Sequence, residues 1–551
     1  MNEREGRMRR ALSASVTRLS WLATGAACVA AVWQIHAQAP AYDLLVRGGR
    51  IVDGAGGPWY VADVGIKGDT IAAVGPHLDA GGAPTVDATG LVVAPGFIDV
   101  HSHAEARSGG GLVGVPGAEN YVRQGVTSVF ANPDGGGDVP LKPFLDRVAA
   151  ARPAINLGSF IGQGSIRGAV VGMADRKATA DEIRRMQALV REGMEEGAFG
   201  LSTGLFYVPG NYAPLDEVVE LAKVAGQMGG IHQSHMRNET AGVLDSVRET
   251  IAIGERGGLP TQVTHHKIIG KGNWGRSVDT LKLVEEARAR GVDATIDQYP
   301  YTASSTSIQG ALIPQWAQEG GRDAMLERFL DPAARGKIRA EIARLIDTDR
   351  GGGDPANVVI AAAEYDPSLA GKNLSQILRE RSTPVTLETA ADLVMEIVRK
   401  GGAQGIYHAI DEGDLVRILQ HPLTMVASDG GVPEFGKDAP HPRSYGTFAR
   451  VLGTYVRERG LLPLEDAVRK MSSYPAARMR LTDRGLVRPG LKADLAIFDP
   501  LRVKDMATFD KPHQYAVGMV AVVVNGQLVL DKERITGARP GRVLRGPGTK
   551  R

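Results

Sequence analysis

Two histidines separated by one residue give the first chemical signal in this chain. His101 and His103 directly follow the strand-like stretch 97–100. Side chains at positions i and i+2 of an extended strand project from the same face, so both imidazoles can reach one metal ion. Histidine nitrogens are common ligands of zinc and of other transition metals. The pair therefore predicts a metal site at the end of a strand.

Further ligand-type side chains stand at the ends of three later predicted strands. In a barrel of alternating strands and helices, the carboxyl ends of the strands form the active site. A single histidine is more often a packing residue than a ligand, but four such sites in chain order predict one shared metal centre. The later three groups are His232 with His235, His265 with His266, and Asp429.

The elements that must position these residues alternate between strand and helix. Between residues 96 and 481, short apolar runs are each followed by a helical pattern, which predicts a parallel sheet with right-handed crossovers. The segment from about 307 to 420 is mostly helical and charged, and we interpret it as an insertion. The sequence therefore predicts a barrel that is interrupted once.

Strand-rich segments flank this predicted barrel on both sides. Short apolar runs separated by glycine turns occupy 42–95, and a similar pattern returns over 482–540. Because both ends show the same pattern, we expect one small β-domain built from both termini. The last residues, 541–551, are basic, and we expect them to form a loose tail.

The first 39 residues have the pattern of an export signal. Basic residues precede an apolar run over 19–35, and the small-x-small triplet Ala37-Gln38-Ala39 follows. Pro40 stands directly after this triplet and would hinder cleavage, so the alternative is an uncleaved membrane anchor. Cys28, the only cysteine, lies in this segment, and no intrachain disulfide can form. We therefore expect an exported protein, periplasmic or secreted, with membrane contact only through this segment if it stays attached.

Composition excludes several classes of function. Apolar residues make up 43% of the chain and charged residues 23%, which is typical of a globular protein. Lys and Arg number 64, and Asp and Glu 62, so the net charge is only +2. A nucleic-acid-binding surface usually needs a basic stripe, and this balance predicts no nucleic-acid partner.

The candidate ligands lie within motifs that resemble those of a known family. Pro95-Gly96-Phe97-Ile98-Asp99-Val100-His101-Ser102-His103 resembles the opening motif of the amidohydrolase superfamily. Other stretches are similar to its D-aminoacylase (N-acyl-D-amino-acid deacylase) branch, namely 119–127, 200–207, 234–239, 265–267, 299–303 and 441–448. The resemblance implies an α/β architecture: a metal-dependent (β/α)8 TIM-like barrel, a small β-sandwich domain from both termini, and a helical insertion near the substrate.

The same resemblance implies roles for individual residues. The metal ligands would be His101, His103, His235, His265 and Asp429, and Asp429 would also be the catalytic base. The substrate-binding side chains would be Arg443, Tyr299, Ser305 and Tyr207, with Arg443 holding a carboxylate. His232, His266 and Lys267 are left over, and we expect them to support the ligands from behind or to be structural.

One position departs from the family pattern. The family has a metal-binding cysteine in a Gly-Asn-Cys-Gly turn, whereas this chain has Ala131-Asn132-Pro133-Asp134-Gly135. Asp134 is the nearest chemical substitute, because a carboxylate can bind or bridge zinc. The alternative is that Asp134 is an ordinary turn residue. The expected cofactor is Zn²⁺, one or two ions, and the harder carboxylate also admits Mn²⁺ or Co²⁺.

These residues predict metal-assisted hydrolysis of an amide. We expect an enzyme that releases D-amino acids from N-acyl-D-amino acids or from dipeptides with a C-terminal D-residue, with a free carboxylate on the substrate. The first alternative is a cyclic-amide hydrolase of the dihydroorotase or hydantoinase type, or a lactone hydrolase, on the same barrel. The second is a non-catalytic binding protein. The oligomeric state stays open.

Overall fold

The computed structural model describes residues 41–105 and 110–550. The predicted leader, 1–39, lies outside the described residues. Within the described part of the chain, none of the helices combines the length and apolarity needed to cross a bilayer. The molecule consists of a β-domain, a barrel and an insertion in the barrel.

The β-domain unites the two ends of the chain, as expected. The strand Val92–Pro95 pairs antiparallel with Leu495–Phe498, so a segment before the barrel hydrogen-bonds to one after it. All strands of the domain are connected by hydrogen bonds into one nine-stranded sheet. The remaining strands are Leu44–Ile51, Tyr60–Lys67, Thr70–Gly75, Thr85–Asp87, Met519–Val524, Gln527–Asp531 and Arg534–Ile535.

The barrel consists of parallel strands that follow one another in chain order. The third of the eight strands is broken at Phe160. Its first part pairs in a three-stranded sheet with strands one and two, and its second part pairs in a six-stranded sheet with strands four to eight. Every residue of these strands is buried, and polar side chains such as Gln233, Gln262 and Asp297 are about as frequent among them as apolar ones. The strands, first to eighth, are Phe97–Asp99, Val126–Ala131, Asn156–Ser159 with Ile161–Gly162, Gly200–Gly204, Ile231–His235, Thr261–Val263, Ala294–Gln298 and Thr424–Val426.

Amphipathic helices cover the outside of the barrel. Ala180–Glu196 begins at a capping box between Thr179 and Glu182 and buries Met186, Val190 and Met194 against the strands. A spacing of four residues places these apolar side chains on one face. The other barrel helices are Gly111–Gly114, Glu119–Val122, Lys142–Ala151, Gln163–Val170, Leu215–Gln227, Val243–Gly257, Ser277–Ala289, Glu412–Gln420, Arg443–Arg450, Leu464–Met471 and Ser473–Arg478.

Asp99 connects the first and eighth strands. Its Oδ1 accepts hydrogen bonds from the backbone N–H of Ser428, at 2.9 Å, and of His101, at 3.3 Å. The hydroxyl of Ser428 donates to its other oxygen. Asp99 is fully buried, so these bonds replace water around its carboxyl group. The connection places His101 beside the segment that leads to Asp429.

The insertion is a layer with its own apolar core. It contains a three-stranded antiparallel sheet, Ser304–Ser307, Val358–Ala362 and Gln404–Tyr407, in addition to the expected helices. The predicted end near 420 is wrong, because the helix Glu412–Gln420 packs on the eighth barrel strand and on Ser277–Ala289. The helices of the insertion are Ile308–Leu312, Arg322–Leu330, Pro332–Arg344, Leu374–Glu380 and Leu387–Lys400, with a π-helical turn at Leu345–Arg350.

The expectation of a loose tail is also wrong for residues 541–550. Leu157 in the third strand donates to the carbonyl of Arg542 at 2.9 Å and accepts from the N–H of Leu544 at 2.7 Å. Arg542 also forms an ion pair with Asp69 of the β-domain, at 2.7 Å. The basic residues favour a solvated tail. In the structure, backbone groups of this segment instead form hydrogen bonds with the third barrel strand, a pairing that no sequence pattern indicates.

Candidate metal centre

The predicted ligands meet at the carboxyl ends of four barrel strands. His101 and His103 follow the first strand, and His235 is the last residue of the fifth. His265 follows the sixth strand and Asp429 the eighth, and both have left-handed backbones, with φ of 37° and 50°. Such conformations are unfavourable for residues other than glycine and concentrate at functional sites.

A tight turn after the second strand places Asp134 among these side chains. Asn132 has a φ of 58°, and its carbonyl accepts a hydrogen bond from Ser202 Oγ at 2.7 Å. A Cβ on Gly135 would lie 2.4 Å from the backbone nitrogen of Gly204, so only glycine fits against the fourth strand here. The turn therefore packs inward.

Asp134 belongs to two groups of potential ligands. Its Oδ1 lies 3.3 Å from His101 Nε2, and its Oδ2 lies 3.4 Å from His103 Nε2; Asp429 completes this first group. The second group joins Asp134 to His235 and His265, whose facing nitrogens are 2.9 Å apart. Since one carboxylate faces both groups, the arrangement fits two ions with a shared ligand.

Unpaired buried atoms show that these residues fit a metal. Both ring nitrogens of His101 and the Oδ1 of Asp134 are buried without a hydrogen-bond partner among the described residues. Buried polar atoms are rarely left in this state, because each loses the hydrogen bonds of water. Imidazole nitrogens with carboxylate oxygens are the donor set that zinc accepts.

Electrostatics differ between the groups of the cluster. Against the effect of burial, the facing carboxylates raise the pKa of His265 to about 9 and that of His103 well above its usual value, so a bound metal would displace a proton from each ring. Burial lowers the pKa of His101 to about 3, so its imidazole is neutral.

Burial alone would raise the pKa of Asp134, but the surrounding imidazoles hold it well below its usual value. Burial alone would raise the pKa of Asp429 as well, but Arg443 and the neighbouring histidines together lower it. The carboxylates are therefore ionised and attract cations.

The residues expected to bind a substrate carboxylate lie beside Asp429. Arg443 is buried, with its Nη1 2.8 Å from Asp429 Oδ2. Its Nη2 donates to the carbonyl of Ser305 at 3.3 Å, and its guanidinium stacks on the ring of Tyr299 at 4.8 Å. His441 accepts the backbone N–H of Arg443 at 3.0 Å and thereby fixes the start of its helix.

Two tyrosines present hydroxyl groups on this side of the metal cluster. The hydroxyl of Tyr299 is buried and has no hydrogen-bond partner in the described part of the chain; burial raises its pKa well above 10, so the phenol remains a donor. Tyr207 packs on His235 with ring centres 4.7 Å apart, and its hydroxyl contacts Thr306 Oγ1 of the insertion at 2.8 Å. The insertion thus contacts the predicted site.

Of the three residues expected to support the ligands, only Lys267 contacts one. Its Nζ lies 2.7 Å from His265 Nδ1. His232 instead contacts the hydroxyls of Thr203 and Thr261, at 3.0 and 2.8 Å, inside the barrel. His266 points outward to Thr280 at 2.7 Å, because neighbouring residues after a strand face opposite sides. Of the two roles expected for His232 and His266, support of a ligand or a structural role, these contacts fit the structural one.

Sequence reasoning missed three charged residues around the cluster. Glu105 lies 2.9 Å from His103 Nδ1. Glu239 is buried next to His235 and His265, and Arg350 is buried next to Glu239. Glu239 gave a signal, since it lies four residues after His235 in a family-like stretch. Arg350 gave none, because it stands next to Gly351-Gly352-Gly353 in the insertion, far from any candidate ligand in sequence, and reaches the site only through tertiary packing.

The strand ends of this barrel bring together four histidines and two aspartates. This combination of fold and site is that of a metal-dependent amidohydrolase. The model of the amidohydrolase family matches residues 84–530, and the chain belongs to this family.

Individual relatives are similar over nearly the whole chain. D-aminoacylase of Alcaligenes xylosoxydans xylosoxydans is 36% identical over 526 residues, which cover 91% of this chain and 97% of the relative. A solved structure of D-aminoacylase, described as having a binuclear metal center, is 36% identical, with a TM-score of 0.76 over 92% of this chain and 100% of that one. N-acyl-D-glutamate deacylase of Bordetella bronchiseptica, complexed with zinc and a phosphonate mimic of the tetrahedral intermediate, is 35% identical, with a TM-score of 0.76 over 92% of this chain and 99% of that one.

Proposed function

We propose that this protein is a zinc-dependent deacylase that releases D-amino acids from N-acyl-D-amino acids or from dipeptides with a C-terminal D-residue. The observation that carries this proposal is the position of Arg443, a buried cation in contact with both Asp429 and the ring of Tyr299. A cation at this place binds a free carboxylate close to the groups that cleave the amide. The similarity to D-aminoacylase and to N-acyl-D-glutamate deacylase supports the same substrate class.

The metal ligands in this proposal are His101, His103, Asp134, His235 and His265, with Asp429 in contact with the first group. Zinc bound there would lower the pKa of a coordinated water to about 7 and polarise the scissile carbonyl. Asp134 stands where the family has a cysteine, and its two oxygens face different histidines. A carboxylate at this place suits either two zinc ions or a single ion of a harder metal such as Mn²⁺.

Asp429 has the geometry of the proton carrier. Its Oδ1 lies 3.2 Å from His103 Nε2 and faces the ligand cluster, whereas its Oδ2 faces Arg443. The low pKa of Asp429 keeps it ionised and ready to accept a proton from water. It would then donate the proton to the leaving amine, which cannot depart as an anion.

Arg443 and Tyr299 orient the substrate in this mechanism. Arg443 Nη1 is close to Asp429 but lacks hydrogen-bond geometry, so this nitrogen has a donor available for a substrate carboxylate. The unpaired hydroxyl of Tyr299 is a second donor on the same side. A neutral cyclic amide has no carboxylate for these groups, which disfavours the hydantoinase-type alternative.

An assay on matched substrates tests the proposal. Purified protein is incubated with N-acetyl-D-amino acids, their L-enantiomers, their C-terminal amides and a hydantoin, before and after metal removal with a chelator. We expect hydrolysis of the D-acids alone, loss of activity after chelation and recovery with zinc. Hydrolysis of the hydantoin in preference to the D-acids would establish the cyclic-amide alternative, and metal binding without any turnover would establish a binding protein.

We also propose that the enzyme acts outside the cytoplasm. The support is the sequence pattern of residues 1–39, with its basic start, apolar run and Ala37-Gln38-Ala39 triplet. Fractionation of expressing cells tests the location. The mass of the recovered protein shows whether cleavage follows Ala39 or whether the segment stays attached.

A further inference from the structure

Glu239 faces the outer nitrogens of two candidate ligands at once. His265 places Nε2 3.5 Å from Asp134 Oδ1 and Nδ1 3.3 Å from Glu239 Oε1. His235 places Nδ1 3.7 Å from Asp134 Oδ2 and Nε2 3.9 Å from Glu239 Oε2. Both rings therefore stand between the same two carboxylates, with Asp134 on the metal side and Glu239 behind.

The chemistry of imidazole defines what Glu239 must do. For His265 Nε2 to offer its lone pair to a metal, the ring proton must sit on Nδ1. Two groups lie near Nδ1, Lys267 Nζ at 2.7 Å and Glu239 Oε1 at 3.3 Å. An ammonium group has no lone pair, so the carboxylate is the one that can accept this proton.

The same reasoning applies to His235. When its Nδ1 binds a metal, its proton sits on Nε2, which is buried without a hydrogen-bond partner among the described residues. Glu239 Oε2 is likewise buried and has no hydrogen-bond partner in this part of the chain. These two atoms, 3.9 Å apart, are complementary once Nε2 carries the proton.

Two cations hold Glu239 in this place. Lys267 Nζ lies 2.6 Å from Oε1, and Arg350 Nη2 lies 3.5 Å from Oε2. Arg350 comes from the π-helical turn Leu345–Arg350 of the insertion and stacks over the ring of Phe206, 4.9 Å away. The carboxylate is thus fixed from the barrel on one side and from the insertion on the other.

We propose that Glu239 is the positioning residue shared by His235 and His265, and that Arg350 couples the docking of the insertion to the orientation of these ligands. This inference rests on the proposed function, since it presupposes a metal at the cluster. A carboxylate that accepts the outer N–H of a ligating histidine fixes the tautomer and raises the basicity of the other nitrogen. Here one carboxylate would do so for two histidines, from 3.3 Å and 3.9 Å in this structure.

Metal affinity tests this role without any substrate. Competition with a chromophoric chelator measures zinc affinity, and the visible spectrum of the cobalt-loaded protein reports ligand geometry, for the unmodified protein and for Glu239→Gln. We expect Glu239→Gln to fold and to bind zinc about 10–100-fold more weakly, with an altered cobalt spectrum, because one amide oxygen cannot accept from both rings. The matched control is Glu249→Gln, which removes the ion pair of Glu249 with Arg237 outside the cluster and should change neither quantity.

A second variant keeps the inference open to refutation if Glu239→Gln fails to fold. Arg350→Gln leaves Glu239 in place and removes its charged partner from the insertion; we expect a change in the same direction and of smaller size. The positioning role is wrong if Glu239→Gln binds zinc as tightly as the unmodified protein and gives the same cobalt spectrum. If Glu239→Gln does not fold, the same result for Arg350→Gln overturns the role. If the unmodified protein binds neither zinc nor cobalt, the proposed function falls and this inference falls with it.

Discussion

Arg443 Nη1 lies 2.8 Å from Asp429 Oδ2, although the two groups are not aligned for a hydrogen bond. The contact joins Arg443, which we expect to bind the substrate carboxylate, to Asp429, which we expect to carry the proton. Arg443 thereby affects both substrate binding and the pKa of Asp429, which it lowers against the effect of burial. A substitution of Arg443 is expected to change both properties.

Replacing Arg443 with lysine or alanine should impair substrates that have a free carboxylate. The planar guanidinium can hold a carboxylate through two parallel bonds, and lysine cannot reproduce this geometry. A hydrogen bond to a charged group contributes about 1.5–3 kcal/mol, so kcat/KM should fall by about 10–100-fold. The measurement compares an N-acetyl-D-amino acid with its C-terminal amide. Equal losses on both substrates would show that Arg443 does not hold the substrate carboxylate and acts only through Asp429 or through the fold.

Replacing Asp429 with asparagine should preserve metal binding and remove most of the turnover. The amide cannot accept a proton from water, and general acid–base catalysis contributes about 10²–10⁴-fold. Elemental analysis and kcat, measured on the same preparation, separate the two effects. A kcat within a few-fold of the unmodified enzyme would assign the proton transfer to another group.

Replacing Asp134 with alanine should lower metal content at both ligand groups, because Asp134 belongs to each of them. Asp134→Cys should restore a family-like site and favour zinc over harder ions such as Mn²⁺, because thiolate is the softer ligand. Metal content after dialysis against equal zinc and manganese measures both effects. Unchanged metal content in Asp134→Ala would support the alternative that Asp134 is only a turn residue.

Replacing His235 with alanine should abolish activity and reduce bound metal. The variant removes a nitrogen that faces Asp134 and His265 and that belongs to the second ligand group. His232→Ala is the matched control on the same strand, since His232 contacts threonine hydroxyls and none of the candidate ligands. We expect the control to retain its metal. Full metal occupancy and normal turnover in His235→Ala would refute the assignment of this ligand.

Deleting residues 541–551 should lower the melting temperature by at least about 2 °C, because the segment contributes backbone hydrogen bonds to Leu157 in the third strand. Deleting only 550–551 is the control, since it keeps the backbone hydrogen bonds to Leu157 and removes one backbone hydrogen bond and one ion pair, both between Lys550 and Glu195. Differential scanning calorimetry compares the three proteins. Identical melting temperatures for the three proteins would show that the segment is the loose tail expected from its composition.

The sequence alone determined the strand–helix order of the barrel and most of the candidate ligands. Both are encoded locally: apolar periodicity predicts the elements, and in a barrel a residue that follows a strand lies at the active-site face. His101, His103, His235, His265 and Asp429 could therefore be assigned from their positions after strands.

Only the tertiary structure decided which side chains meet. Asp134 was undecided between ligand and turn residue, and it faces the cluster because its turn packs on Gly204. His266, adjacent to His265 in sequence, points to the outer helix layer instead. Glu239 and Arg350 come together from segments more than a hundred residues apart in the numbering. The physical reason is that the periodicity of a helix or strand determines which of its side chains share a face. Which faces then meet depends on close packing between segments that are distant in sequence, and no local pattern relates them.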